Sequence, residues 1–250
     1  MFEWIGLVRS LVVYWRPGRR RGLQRLYAPF VGEGDLVFDV GAHLGDRTAA
    51  FAALGARVVA LEPQPRIARW LRRLVGRREG VTIRTEAVGA RPGVERLAVS
   101  HRTPTVSTMS EAWRTGVTEA HPGFGGVRWD ESLEVPVVTL DALVDIYGVP
   151  SFCKIDVEGY EAEVLAGLSR PVPALSLEFV AGQLDVATAC VARLGELGTY
   201  AFNAVLGEGR DFVFDSWIDP ESISSWLEQG ASGASSGDVY ARLSGSDDSP

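Results

Sequence analysis

The chain is short of the residues that would announce a metal, a disulfide or a membrane span. It has two cysteines in 250 residues, Cys153 and Cys190, with no Cys-x-x-Cys and no ligand-like spacing. That speaks against structural zinc and for a reducing, cytoplasmic compartment. Long apolar runs are missing as well. The amino end reads MFEWIGLVRSLVVYWRPGRRRG, and Arg9 leaves only LVVYW uninterrupted, far below the ~18 residues of a membrane span. Charge follows the apolar residues there, the reverse of a secretory signal. Positive charge is scarce in the body of the chain. Net charge is −7, yet six arginines against Glu3 give residues 1–30 a charge of +5, so residues 31–250 carry −12. A body that acidic is a poor general binder of nucleic acid.

What is present suits one large domain or two small ones: 46% apolar and 23% charged residues over a length able to bury a sizeable core. Residues 1–30 are expected to form a helical, basic segment packed on the domain or on a second copy of the chain, with weak peripheral membrane contact as the alternative. From residue 35 short β-branched runs alternate with amphipathic segments. DLVFDV (35–40), ARVVALEP (56–63) and VTIRTEAVG (81–89) read as strands; DRTAAFAAL (46–54) and PRIARWLRRLVG (65–76) read as helices. Such alternation implies parallel strands joined by right-handed crossovers, a doubly wound α/β sheet.

Residues 90–138 break the rhythm and read as an insertion over the ligand crevice, with two β-like pieces, ERLAVS and SLEVPVVT, around an irregular stretch. The rhythm resumes with TLDALVDIYG, SFCKIDV, GYEAEVLAGL and ALSLEFV. TYAFNAVLGEGRDFVFDSWI reads as a hairpin, DPESISSWLEQG as a capped helix and ASGASSG as a flexible linker. DVYARL (238–243) is expected to be the last strand and residues 244–250 a disordered tail.

In an open parallel sheet, ligands bind beyond the carboxyl ends of the strands, where strand order reverses. The turn after the first strand, LVFDVGAHLGDRT, is the place to look. Gly41 and Gly45 let the backbone approach a ligand, and the following helix offers free amide groups at its start. The spacing is Asp39-Val-Gly41-Ala42-His43-Leu-Gly45, not the GxGxxG of a dinucleotide fingerprint. The leading carboxylate of Asp39 would repel a diphosphate and suits a ligand with an ammonium or sulfonium. Glu62 closes the second strand 23 residues later, where an acidic side chain accepts hydrogen bonds from ribose hydroxyls. Together they describe a pocket for S-adenosylmethionine rather than a nicotinamide dinucleotide.

CKIDVEGYEAEVLAGL places Asp156 at the end of an apolar strand and Glu158 two residues on. Methyl transfer from a sulfonium needs a nucleophile held in line, and an alcohol must also lose its proton. A partly buried carboxylate of raised pKa could take that proton, which makes Asp156 and Glu158 the catalytic candidates. Glu178 on the fifth strand is a third carboxylate at the same rim. His43 lies inside the ligand turn, and His101 and His121 flank the insertion as candidate bases. Nothing in the spacing demands a metal.

FDVGAHLGDRT, LEP, TEAVG, VPVVTLDAL, KIDVEGYEAEVLAGL, LSLEF and GDVYAR, in that order over residues 35–243, together resemble the FkbM-type methyltransferases. The resemblance implies a class I, Rossmann-like fold: a seven-stranded, mostly parallel sheet with one antiparallel edge strand. It implies S-adenosylmethionine as cofactor and O-methylation of a hydroxyl on a small molecule or glycan. It assigns cofactor contacts to Asp39, Gly41, Ala42, Gly45 and Glu62 and supports Asp156, Val157 and Glu158 at the crevice; His43, Thr85, Ala87, Asp156 and Val157 complete the expected cofactor-binding set. Ser107, Thr108 and Glu178 fall to the substrate loop and rim. His43 and Thr85 stand where related sequences carry Asn. The leading expectation is thus a cytoplasmic S-adenosylmethionine-dependent O-methyltransferase. Its rivals are a catalytically silent methyltransferase-like binding scaffold and a nicotinamide-dependent oxidoreductase.

Overall fold

The computed structural model describes residues 3–120 and 126–245; His121 and the expected tail from 246 onward lie outside the described residues. In chain order the elements are α1 (Glu3–Tyr14), α2 (Arg19–Tyr27), β1 (Leu36–Val40), α3 (Asp46–Ala53), β2 (Arg57–Leu61), α4 (Pro65–Leu74) and β3 (Val81–Arg84). Then come β4 (Ala87–Val88), β5 (Gly93–Val99), α5 (Glu111–Ala120), β6 (Glu131–Val138), α6 (Leu140–Tyr147), β7 (Phe152–Ile155) and α7 (Glu161–Ala166). The chain continues through β8 (Ala174–Val180), α8 (Leu184–Leu197), β9 (Tyr200–Leu206), α9 (Pro220–Glu228) and β10 (Ser236–Leu243).

Seven strands form the main sheet in the order β3-β2-β1-β7-β8-β10-β9. The chain runs outward from β1 through β2 to β3, then returns to β7 on the other side of β1, so strand order reverses between β1 and β7. That places a ligand crevice beyond Val40 and Ile155. The pairs β1–β2, β2–β3, β1–β7 and β7–β8 are parallel. The antiparallel strand is β10, wedged between β8 and the outermost strand β9.

The residues of β1 are buried throughout, as expected for a central strand covered on both faces. Side chains alternate across it. Leu36, Phe38 and Val40 enter one core with Leu143, Leu165 and Leu194 from α6, α7 and α8. Val37 enters the other with Tyr27, Phe51 and Leu71 from α2, α3 and α4. The amino-terminal helices thus pack on the domain itself: Leu7, Leu23 and Tyr27 are each 1% exposed.

Several expectations are corrected. The run 81–89 is not one strand. Glu86 turns back to bind the Arg84 guanidinium and the Thr85 amide, and β4 leaves the main sheet to pair with β6. The described part of the insertion is built around a second sheet, β4-β6-β5, in which β5 and β6 pair antiparallel from Gly93↔Val137 to Val99↔Glu131. The stretch between them holds a helical turn at Pro104–Val106 and α5. No hairpin follows β9. Its ladder partner is β10, and the later residues meet β9 through an isolated bridge, Phe202↔Ile218, the Val213 amide donating to the Ala204 carbonyl at 2.8 Å, and the Asn203 side chain. ASGASSG is no linker: it forms a helical turn at Ala231–Gly233 and the start of β10, with Ala231 fully buried.

Candidate functional site

The turn after β1 is wedged between the ends of β2 and β7. The Gly41 and Ala42 amides both donate to the Leu61 carbonyl, at 3.0 and 2.9 Å. Gly41 has φ +80°, and a Cβ there would lie 1.9 Å from the Asp156 carbonyl oxygen. Glycine is required on both counts, backbone conformation and space. His43 follows with φ 47°, and its amide donates to Glu62 Oε2 at 3.0 Å. The Gln64 amide takes the other oxygen of Glu62, Oε1, at 2.8 Å. Glu62 is 3% exposed, and burial pushes its pKa up to about 7 against those two hydrogen bonds. Asp39 turns away from the crevice to accept a 2.5 Å hydrogen bond from Thr48 Oγ1 at the start of α3. It ties the strand to the helix from below, and burial raises its pKa.

Across the crevice, the end of β7 presents Asp156, Val157 and Glu158. The Asp156 amide donates to the Val40 carbonyl at 3.0 Å, which brings the two strand ends together. Lys154, the only lysine in the sequence, is 1% exposed within β7. Its ammonium lies 2.7 Å from Asp156 Oδ2 and 3.8 Å from Asp238 Oδ1. Burial alone would raise the pKa of Asp156, but the Lys154 and Arg47 charges outweigh it and hold the carboxyl at about 2. The expectation of a raised pKa at Asp156 is therefore corrected: it is a fixed anion. Glu158 and Glu178 go the opposite way. Burial pushes both well above the usual carboxylate range, assisted by the charge of Asp156 and, for Glu178, of Glu158. One oxygen from each of Asp156, Glu158 and Glu178 lies within 4.8 Å of the others, close enough to converge on one cation. Glu178 Oε2 is buried with no hydrogen-bond partner.

The loop carrying Glu158 is held tightly. Glu158 sits at φ 56°, its carbonyl accepts from Thr108 Oγ1 at 2.7 Å, and Glu161 Oε1 accepts the amides of Val157 and Gly159 at 3.1 and 3.2 Å. Glu161 is 2% exposed, with its pKa pushed up to about 7 by burial.

These ends enclose a cleft with about 1120 Å³ of empty space, part of it open to solvent. Of the residues expected from the sequence, Gly41, Ala42, His43, Glu62, Ala87, Ser107, Asp156, Val157, Glu158 and Glu178 line it. Asp39, Gly45, Thr85 and Thr108 are not among its lining residues. His101 sits away from the cleft and pairs with Glu131 at 3.2 Å. Ser107 donates to the Gln64 side chain at 3.1 Å, joining the insertion to the rim beside Glu62.

The walls also include residues that motif reading passed over. Tyr14, from α1, meets the His43 ring edge-on at 5.6 Å between centroids. Burial lowers the His43 pKa to about 4, and its Nε2 has no partner, so the ring is neutral with one nitrogen free. Arg47 is the one cation among the lining residues, facing eight carboxylates that include Glu208 and Asp238. No local pattern marks Tyr14 or Glu208, which arrive from distant parts of the chain. Lys154 and Glu161 were visible inside KIDVEGYE, where a charged residue in an apolar strand was the available signal.

The family model described as "Methyltransferase FkbM domain" matches residues 39–179. No curated protein matches the sequence. Similar solved structures include a precorrin-6y C5,15-methyltransferase from Geobacter metallireducens, 14% identical, covering 90% of this chain and 86% of that one with a TM-score of 0.47. A TehB-like SAM-dependent methyltransferase from Corynebacterium glutamicum is 11% identical, with coverages of 94% and 93% and a TM-score of 0.47. A fibrillarin from Aeropyrum pernix, with natively bound S-adenosyl-L-methionine, is 14% identical, with coverages of 90% and 76% and a TM-score of 0.45.

Proposed function

The chain belongs to the methyltransferase FkbM domain family, and from that premise we propose that it methylates a hydroxyl group of a small molecule or glycan, using S-adenosylmethionine. The observation that supports this reading best is the meeting of three features on one cleft: the Gly41 turn, Glu62 and the Asp156–Glu158–Glu178 rim. The cleft fits the cofactor in both space and charge. Gly41 leaves room where a Cβ would collide with Asp156, and the acidic walls suit a ligand carrying a sulfonium and an ammonium.

Each oxygen of Glu62 accepts one backbone N–H and retains a lone pair for a ribose hydroxyl. Gly41, Ala42 and His43 would hold the amino-acid tail. Ala87 and Val157 would supply apolar contact, and Asp156, kept anionic by Lys154, would offset positive charge. Bound there, S-adenosylmethionine supplies an electrophilic methyl group. The chain's own task is then to orient the acceptor oxygen and receive its proton. Glu158 and Glu178, whose raised pKa values at one rim make either of them, once ionised, a stronger base than Asp156 at about 2, are the groups able to do so. Ser107 reaches the Glu62 side of the cleft from the insertion and would contact the acceptor.

The acidic walls favour a compact neutral or cationic acceptor over a nucleic acid, whose phosphates they would repel. A cytoplasmic location is part of the proposal, since Cys153 and Cys190 are free and buried. Thermal unfolding with S-adenosylhomocysteine and with NAD(P) tests the cofactor: stabilisation by NAD(P) alone would sink the reading. Transfer of a labelled methyl group to hydroxylated acceptors tests the chemistry. Label recovered on carbon or nitrogen would reject O-methylation while leaving methyl transfer intact.

A further inference from the structure

Helix α1 has two unlike faces. On the inward face Leu7 is 1% and Ser10 6% exposed, and a Cβ at Gly6 would lie 2.4 Å from the Arg102 carbonyl oxygen. Tyr14 reaches the cleft wall, and just past the helix Trp15 Nε1 donates to the Leu44 carbonyl at 3.2 Å. The helix is therefore anchored to the domain without help. On the outward face Val8, Val12 and Val13 are 52%, 68% and 40% exposed. Val8 and Val12 lie one turn apart on the same side. Valine is a mediocre helix former, so helix propensity does not explain three of them in solvent.

The charge around this face is equally particular. Arg9 is on α1 next to Val8, and Arg16, Arg20 and Arg21 share one hollow with Tyr14 and Trp15 at the end of that helix; all four are exposed. Arg19 differs: it is buried, with Asp46 and Glu208 each at 2.7 Å. The protein is acidic as a whole, at −7, yet its first 30 residues combine six arginines with one glutamate.

We propose that the outward face of α1, with the arginines beside it, docks this protein on an anionic lipid surface. Both halves of the surface are needed for the argument. Nucleic acid would reward the arginines and leave the valines in water. A lipid interface takes both, arginines at the headgroups and valines at the acyl boundary. The helix cannot cross the bilayer: 12 residues rise ~18 Å against a hydrocarbon core of ~30 Å, and among the described residues no helix is long and apolar enough to span one. It lies in the plane of the surface. Tyr14, at the carboxyl end of the same helix, lines the cleft. The inference concerns the outer face alone and does not depend on the methyl-transfer reading.

The test is sedimentation of the full chain with phosphatidylcholine vesicles, with and without phosphatidylglycerol, at low and high salt. The expected result is pelleting with the anionic vesicles only, weakened by salt. Val8→Asp with Val12→Asp, and separately Arg20→Glu with Arg21→Glu, should each weaken binding about tenfold or more. Val94→Asp, at a 64% exposed valine on β5, should leave it unchanged, and thermal unfolding checks that every variant folds. Absence of pelleting at low salt overturns the proposal. So does a valine variant that binds like the wild type, or an equal loss with Val94→Asp. Light scattering that shows a dimer abolished by Val12→Asp would assign the face to a second copy of the chain instead.

Discussion

The two sides of the cleft handle buried carboxylates differently. On the β2 side Glu62 has a backbone amide on each oxygen, and Asp39 just behind it takes the Thr48 hydroxyl. On the β7–β8 side, three carboxyl groups meet within 4.8 Å, Lys154 serves Asp156, and Glu178 Oε2 has no partner at all. A buried polar group without a partner is costly. Evenly satisfied groups make a rigid seat for a ligand that does not change. A crowded, unsatisfied cluster keeps a high proton affinity ready for a ligand that must lose a proton. Under the proposed function, Glu62 on the first side would hold the cofactor and Glu158 and Glu178 on the second would carry the chemistry.

The largest expected effect separates the two sides. Glu178→Gln should lower turnover by about 10²–10⁴-fold, while calorimetry shows S-adenosylhomocysteine binding nearly as before; equal losses in both would dissolve the division. Next is Lys154→Met, which leaves the partly buried Asp156 without its cation and should cost up to about 3–5 kcal/mol in urea unfolding. Unchanged stability would mean that Asp156 is neutral and the charge assignment of the β7 side is wrong. Glu62→Gln turns an acceptor toward a donor beside two backbone amides and should weaken S-adenosylhomocysteine binding by about tenfold, near 1.4 kcal/mol.

A pH series sharpens the picture further. Glu161 and Glu62 have folded pKa values of about 7 against an ordinary 4.5. They hold more protons folded than unfolded, so their contribution to stability is complete below about pH 4.5 and is lost as pH rises through about 7. In the ligand-free protein, Glu161→Gln should flatten the decline between those values by up to about 1.4 kcal/mol per pH unit, read from denaturation midpoints. The smallest effect is expected from His43→Asn. Asparagine also tolerates the positive φ, so stability should change by less than about 1 kcal/mol, and any larger shift in cofactor affinity would give the free Nε2 a direct role.

Much of the frame was legible along the chain. Strand-and-helix alternation foretold the doubly wound sheet, and the first turn, Glu62 and the Asp156–Glu158 segment were each marked by position at a strand end. The β4 break was not legible, because it depends on Glu86 finding Arg84 and on β6 supplying a partner nearly 50 residues away. The ordered fate of ASGASSG was hidden for the same reason: small residues look flexible until a neighbouring strand pairs with them.

The opening turn shows where local information stops. Its glycine spacing, its acidic flank and its place after a buried strand were determined by sequence alone, since backbone permissiveness, charge and periodicity are local properties. Which carboxylate is fixed and which is free to take a proton was decided only by the tertiary structure. Asp156 and Glu158 are two residues apart and chemically near-identical, yet Lys154 lies 2.7 Å from one, while burial among like charges dominates the other. A pKa is set by burial and by distances through space, and those exist only once β1, β7, β8 and β10 stand side by side.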